Sequence, residues 1–166
     1  MARLTLNLLG GFRVRLGSGA PPFTLPTRKA QALLAYLAMP AGPAYRREKL
    51  ASLLWGSTVE TTARTSLRQT LYAIRKSLRG ADPQPLQLHA NTVALDPAAV
   101  SVDVEAFEEG MAEATPSALA ESLALYEGDF LEGLTVQEPP FEDWLLAQRE
   151  RLRELAVGGL GRLLPH

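Results

Sequence analysis

An α+β fold running into an all-helical region is what the sequence predicts, and three observations predict it. Alternating leucines flank a glycine pair at the start, three helical patterns followed by a second hairpin pattern come next, and the charge changes sign near residue 98. With 166 residues, 46% of them apolar, the chain is long enough for one substantial core or two small ones.

The elements justify themselves in order. Leu4, Leu6 and Leu8 alternate with polar residues, as do Phe12, Val14 and Leu16, and Gly10-Gly11 between them suits a two-residue hairpin turn with positive φ. A short strand is expected over Phe23 to Leu25. Thr27 then caps a helix carrying Ala30, Leu33, Leu34 and Leu37, which Pro40, Gly42 and Pro43 end. A second helix is expected from about Arg46 to Trp55, with Leu50, Leu53 and Leu54 at core spacing, Glu48 near its positive end and Gly56 as its break. The third, from about Thr62 to Arg79, has the clearest periodicity: Leu67, Leu71, Ile74 and Leu78 form one stripe. Past Pro83 and Pro85, Leu86 to Leu88 and Thr92 to Leu95 read as strands around a His89-Ala90-Asn91 tip. Strands, three helices and a terminal hairpin make a winged helix-turn-helix with an N-terminal sheet.

From Ser101 onward only helices are expected. Phe107 and Met111 mark an acidic one. Thr115 and Pro116 supply the cap and first-turn proline of the next, with Leu119, Leu123 and Tyr126 on its apolar face. Pro139 and Pro140 introduce the last, Phe141 to about Leu164, whose stripe includes Trp144, Leu145, Leu152 and Leu155, while Gly158, Gly159 and Gly161 weaken its final turns. Trp55 and Trp144, each beside leucines at helical spacing, read as core.

Charge divides the chain at the same place. Residues 1–98 hold 13 Lys plus Arg against 4 Asp plus Glu, a net of +9, whereas residues 99–166 hold 4 against 14, a net of −10. These spans are the two expected domains. A positive domain without a lipid-facing apolar helix points to nucleic acid, although mutual attraction of the halves also accommodates the asymmetry. The absence of cysteine excludes disulfides, thiolate metal sites and cysteine nucleophiles, so a cytoplasmic location is expected. Met1 to Leu9 lacks the apolar core of a leader, and no run approaches the length of a membrane span.

An enzyme is not expected. The two histidines, His89 and His166, have no nucleophile at a suggestive spacing. Gly10-Gly11 and Gly17-Ser18-Gly19 lack the spacing and the following Lys-Ser/Thr of a phosphate loop and read as turns. Glu105, Glu108, Glu109 and Glu113 read as a solvated face rather than a metal site, and no cofactor is implied.

The third helix carries the functional signal. Opposite its apolar stripe lie Thr65, Arg68, Gln69, Tyr72, Lys76 and Arg79, with Arg64 and Arg75 on the flank. A helix about 10–12 Å across fits the major groove of B-DNA, where Arg pairs in bidentate fashion with guanine and Gln with adenine. Arg64, Thr65, Arg68, Gln69 and Tyr72 are the candidates for base reading or phosphate contact, and Arg75, Lys76 and Arg79 for backbone clamps. Arg46, Arg47, His89 and Asn91 complete the candidate set. The alternative is an adaptor that binds an acidic protein, for which charge alone suffices, whereas base readout calls for Arg, Gln and Thr together.

These residues also carry a family resemblance. Ala63-Arg64-Thr65-Ser66-Leu67-Arg68, leading into Leu71, Ile74-Arg75-Lys76 and Leu78, resembles the recognition helix of OmpR-type winged-helix domains, in particular those of the Streptomyces antibiotic regulatory protein (SARP) family. Glu48-Lys49-Leu50 to Leu53-Leu54-Trp55 is similar to that family's second helix. Val102-Asp103-Val104-Glu105-Ala106-Phe107, Leu125-Tyr126-Glu127-Gly128-Asp129-Phe130-Leu131, and Trp144-Leu145 to Arg149-Glu150-Arg151-Leu152 resemble the opening of a bacterial transcriptional activator domain, a tetratricopeptide-like array. The resemblance implies a transcription regulator, in most cases an activator, that binds repeated promoter sites as a dimer and engages RNA polymerase. Two departures stand out. The hairpin tip lacks the aromatic and basic residues common in such wings, and the activator-like region stops partway, at His166. The stripe of the last helix is therefore expected to fold back or to pair with a second chain, the resemblance favouring pairing on DNA.

Overall fold

The computed structural model describes residues 3–17 and 19–164, so Met1, Ser18 and His166 of the sequence reading lie outside the described residues. Strands β1 (Leu4–Asn7) and β2 (Arg13–Leu16) are antiparallel, in register from Leu4 opposite Leu16 to Asn7 opposite Arg13. Their connection is the five residues 8–12, not the two-residue turn expected at Gly10-Gly11. The reason is that Leu8 and Leu9 both turn into the core, where their N–H groups donate to the two oxygens of Asp103 at 2.9 and 3.0 Å. Burial pushes the Asp103 carboxyl above the usual carboxylate range, and the N–H groups of Leu8, Leu9 and Val104 pull it the other way. Gly10 keeps a positive φ of 117°, and a Cβ there would stand 3.2 Å from that of Glu127.

Helix α1 (Arg28–Leu37) starts where Thr27 accepts from the Ala30 N–H at 3.0 Å, as expected. The strand expected at 23–25 is reduced to one bridge, Phe23 to Val14, since Pro22 and Pro26 beside it have no N–H to extend the ladder. Strand β3 (Tyr45–Arg46) precedes α2 (Arg47–Trp55), so Arg46 sits in a strand and not in the helix. Helix α3 (Glu60–Ser77) begins and ends two residues earlier than its periodicity suggested. Ala63, Leu67, Leu71 and Ile74 are its buried stripe, and Leu78 leaves the helix still buried, which puts Arg79 beyond its end. Strands β4 (Leu86–Leu88) and β5 (Thr92–Leu95) form the expected hairpin, and β3 adds to it in the order β3-β5-β4.

The acidic half begins inside the N-terminal sheet. A 3-10 turn (Pro97–Ala99) leads to β6 (Val100–Val102), which runs parallel to β1 and completes the order β2-β1-β6. Helices α4 (Asp103–Glu113), α5 (Pro116–Leu125) and α6 (Pro139–Leu163) follow. Thr115 caps α5 as expected, and α6 starts at its proline pair, in the first turn where no N–H is needed. Among the described residues the architecture is thus mixed, two three-stranded sheets with six α-helices.

Both sides of residue 98 contribute to one continuous core. Beyond Asp103, the loop after β1 is held by the Leu131 N–H on the Leu8 carbonyl at 2.8 Å and by the Gly10 N–H on the Asp129 carbonyl at 3.0 Å. Trp144 on α6 packs against Tyr36 of α1 at 4.9 Å between ring centroids and against Phe130 and Phe141 at 5.7 and 5.3 Å. Its stripe is therefore covered within the chain: Leu145 and Leu152 are fully buried, and Trp144 and Leu155 pack against the core. The exposed apolar residues of α6 are others, Leu146, Val157 and Leu160, with Leu164 just past its end. Among the described residues no helix is long and apolar enough to cross a membrane.

Candidate nucleic-acid interface

Helix α3 offers one face to solvent because the other is committed to the core. Arg64, Thr65, Arg68, Gln69, Tyr72, Arg75 and Lys76 are all exposed, and Tyr72, with 65% of its surface accessible, is apolar area that packing does not explain. Thr65 turns its hydroxyl proton back to the Thr61 carbonyl at 3.1 Å and keeps its acceptor lone pairs free. Arg64, Arg68, Arg75, Lys76 and Arg79 form no ion pair among the described residues, although acidic side chains are plentiful elsewhere in the chain.

The hairpin tip is fixed beside this face by the start of α2. Arg47 donates its backbone N–H to the Asn91 carbonyl at 2.9 Å and its Nε to the His89 carbonyl at 3.0 Å. A cleft of about 490 Å³ results, into which Arg47, Arg64, Arg68 and Asn91 converge from three elements, with Glu48 and Glu60 on its wall. The two carboxylates allow only guided anion binding there: a phosphate placed off the arginines meets like charge. Exposed Arg46 lies next in the chain, on β3, and exposed Arg75, Lys76 and Arg79 stand at the other end of α3, away from this cleft.

Gln69 lines a different cavity, of about 580 Å³, where it meets Ser66, Thr70 and the start of α1 with Thr27 and Arg28. Arg28 is absent from the sequence-derived set. Its signal was available: the first turn of α1 has two cations, Arg28 and Lys29, and no acid, opposite to what the positive end of a helix prefers. Lys29 is answered internally, lying 3.7 Å from Glu138 and over the Trp55 ring at 5.1 Å. Arg28 has no such partner among the described residues.

Glu138 is the second residue that sequence reasoning missed. It is 6% exposed and takes the Ser57 N–H and hydroxyl on one oxygen at 3.2 and 3.1 Å. Standing at the head of α6, it thereby holds the turn from α2 into α3, which aims the exposed face. Among the described residues there is no cluster of three or more metal-ligating side chains.

No family model and no curated protein matches the chain. A solved structure of Mycobacterium tuberculosis EmbR, in complex with a low-affinity phosphopeptide, is similar in fold, with a TM-score of 0.75 at 22% sequence identity. The match covers 93% of this chain and 44% of that one, so the chain spans less than half the length of its structural neighbour.

Proposed function

We propose that the chain is a sequence-specific DNA-binding transcription regulator of SARP type. In this reading residues 1–98 are an OmpR-type winged helix and residues 99–166 the start of a tetratricopeptide-like activator domain. The observation that carries it is the α3 face, where Arg64, Arg68, Arg75 and Lys76, four cations without ion-pair partners among the described residues, are interspersed with Thr65, Gln69 and Tyr72, one end of the helix lying beside a hairpin anchored by Arg47. Arg64, Arg68 and Gln69 read bases in the major groove. Arg46, Arg47, Arg75, Lys76 and Arg79 hold phosphates, and His89 and Asn91 reach the backbone or minor groove from the hairpin tip. Arg28 joins the phosphate contacts through the cavity it shares with Gln69. The motif resemblance and the fold shared with EmbR support the same architecture, and neither assigns a promoter. We further propose a cytoplasmic, non-enzymatic protein that binds repeated sites as a homodimer and activates by contacting RNA polymerase.

A basic face that docks an acidic protein needs no Gln69 or Thr65, so their presence among the arginines favours DNA over an adaptor. Selection from random duplexes tests this directly. One recurrent motif is expected, and binding to it falls with salt at a log–log slope near about −5 if five or six phosphates are neutralised. Selection without enrichment, or a slope near zero, overturns the reading.

A further inference from the structure

Three of the cations of the basic half stand away from α3, on the outer face of the sheet β2-β1-β6. Alternation sends Leu4, Leu6, Val14, Val100 and Val102 inward, so the residues between them share the opposite face. The register sets Arg15, Thr5 and Ser101 side by side in one row across the three strands, with Arg13 and Asn7 in the next and Arg3 at the strand start. Helix α5 walls this face with Ala124 and Leu125, enclosing a cavity of about 520 Å³ that shares no lining residue with the cleft at α3. That volume is within the usual range for a small-molecule site.

Its donors are unequally engaged. Arg3 gives its Nε to the Ser101 hydroxyl at 3.1 Å and another nitrogen to the Val100 carbonyl at 3.0 Å, both neutral acceptors. Arg13 pairs with Glu127, so one oxyanion already sits at the rim. The Asp103 carboxylate is held from behind by the N–H groups of Leu8 and Leu9. Arg15 differs from both other arginines: its Nε is shut off from water and has no acceptor among the described residues. A buried donor without an acceptor is unfavourable, and because the partly exposed Arg15 side chain lines the cavity, a small turn of its guanidinium towards an incoming oxyanion supplies what that donor lacks. Arg13 and Arg15, two residues apart on one strand, are separated by about 6–7 Å along it, which matches two linked anionic groups better than one.

We propose that this sheet face is a binding site for a small polyanion of the diphosphate or phosphate-ester class, held by Arg3, Arg13 and Arg15 with Thr5, Asn7 and Ser101 as supporting polar groups. The same chemistry occurs in a DNA backbone, and the test separates the two sources. Calorimetric titration of the full chain with pyrophosphate at fixed ionic strength reads one saturable site. Arg15→Met, which keeps the aliphatic stem, lowers the affinity about tenfold or more with the parent's melting temperature. Thr5→Val, nearly isosteric, lowers it by a smaller factor. Arg68→Ala titrates like the parent, and duplex DNA does not displace the ligand. Titrations without saturation, or equal affinities of the parent, Arg15→Met and Thr5→Val, overturn the proposal. Loss of binding in Arg68→Ala, or displacement by duplex, assigns the anion to the DNA-facing surface and overturns it equally. Failure here leaves the DNA reading untouched, since none of these six residues belongs to it.

Discussion

Helices α3 and α6 each bury one stripe and carry several arginines, yet they use those arginines in opposite ways. On α6, Arg149 donates to the Phe130 and Leu131 carbonyls at 2.8 and 2.7 Å, Arg151 reaches Glu108 at 3.2 Å and Arg153 reaches Asp129 at 2.7 Å. On α3, Arg64, Arg68 and Arg75 reach no acid among the described residues. Count and spacing therefore do not separate a structural arginine from one kept for a partner. Occupancy does: a guanidinium with its acceptors inside the fold is part of the scaffold, and a whole face without acceptors is a surface that awaits them.

Three substitutions break or sharpen this contrast, in falling order of effect. Leu71→Asp strikes the stripe that makes the α3 face possible, and an unpaired charge on that fully buried site costs more than about 4 kcal/mol, abolishing the cooperative melt. A parent-like melt would mean that the two faces of α3 are reversed. Arg149→Ala strikes an arginine of the scaffold kind. It deprives two carbonyls of a charged donor and lowers stability by about 2 kcal/mol in denaturant unfolding, while DNA affinity measured well below the transition is unchanged. Arg68→Ala is the mirror case: it leaves the melt where it was and weakens binding to the selected site by about 1–3 kcal/mol. If Arg68→Ala unfolds like Arg149→Ala, or Arg149→Ala loses DNA like Arg68→Ala, the division between the helices fails.

What the sequence made legible follows the range of the interactions involved. The Leu67-Leu71-Ile74-Leu78 stripe, the Thr27 and Thr115 caps and the strands 86–88 and 92–95 depend on residues within a few positions of one another, and the fold contains all of them. Strands β3 and β6 did not announce themselves, because two or three residues have no readable period and their partners, β5 and β1, lie far along the chain. The five-residue loop after β1 was equally hidden, since Asp103, whose carboxylate shapes it, is more than ninety positions away. The exposed face of α3 could be read because a helix projects its own side chains. Glu138 could not, as its place beside Ser57 exists only after folding, and for Arg28 the first turn of α1 showed an unanswered cation but not that it stands beside Gln69.

Glu138 bears on how such proteins can be recombined. It belongs by position to the acidic half, but its carboxylate grips Ser57 and faces Lys29, so the aim of α3 is set partly from outside the basic half. A chimera made by grafting residues 1–98 onto a foreign helical domain would inherit every side chain assigned to the bases and still lack the clasp that orients them, along with the β6 edge of the first sheet. Transplantable specificity, in this architecture, needs the junction to travel with the reader.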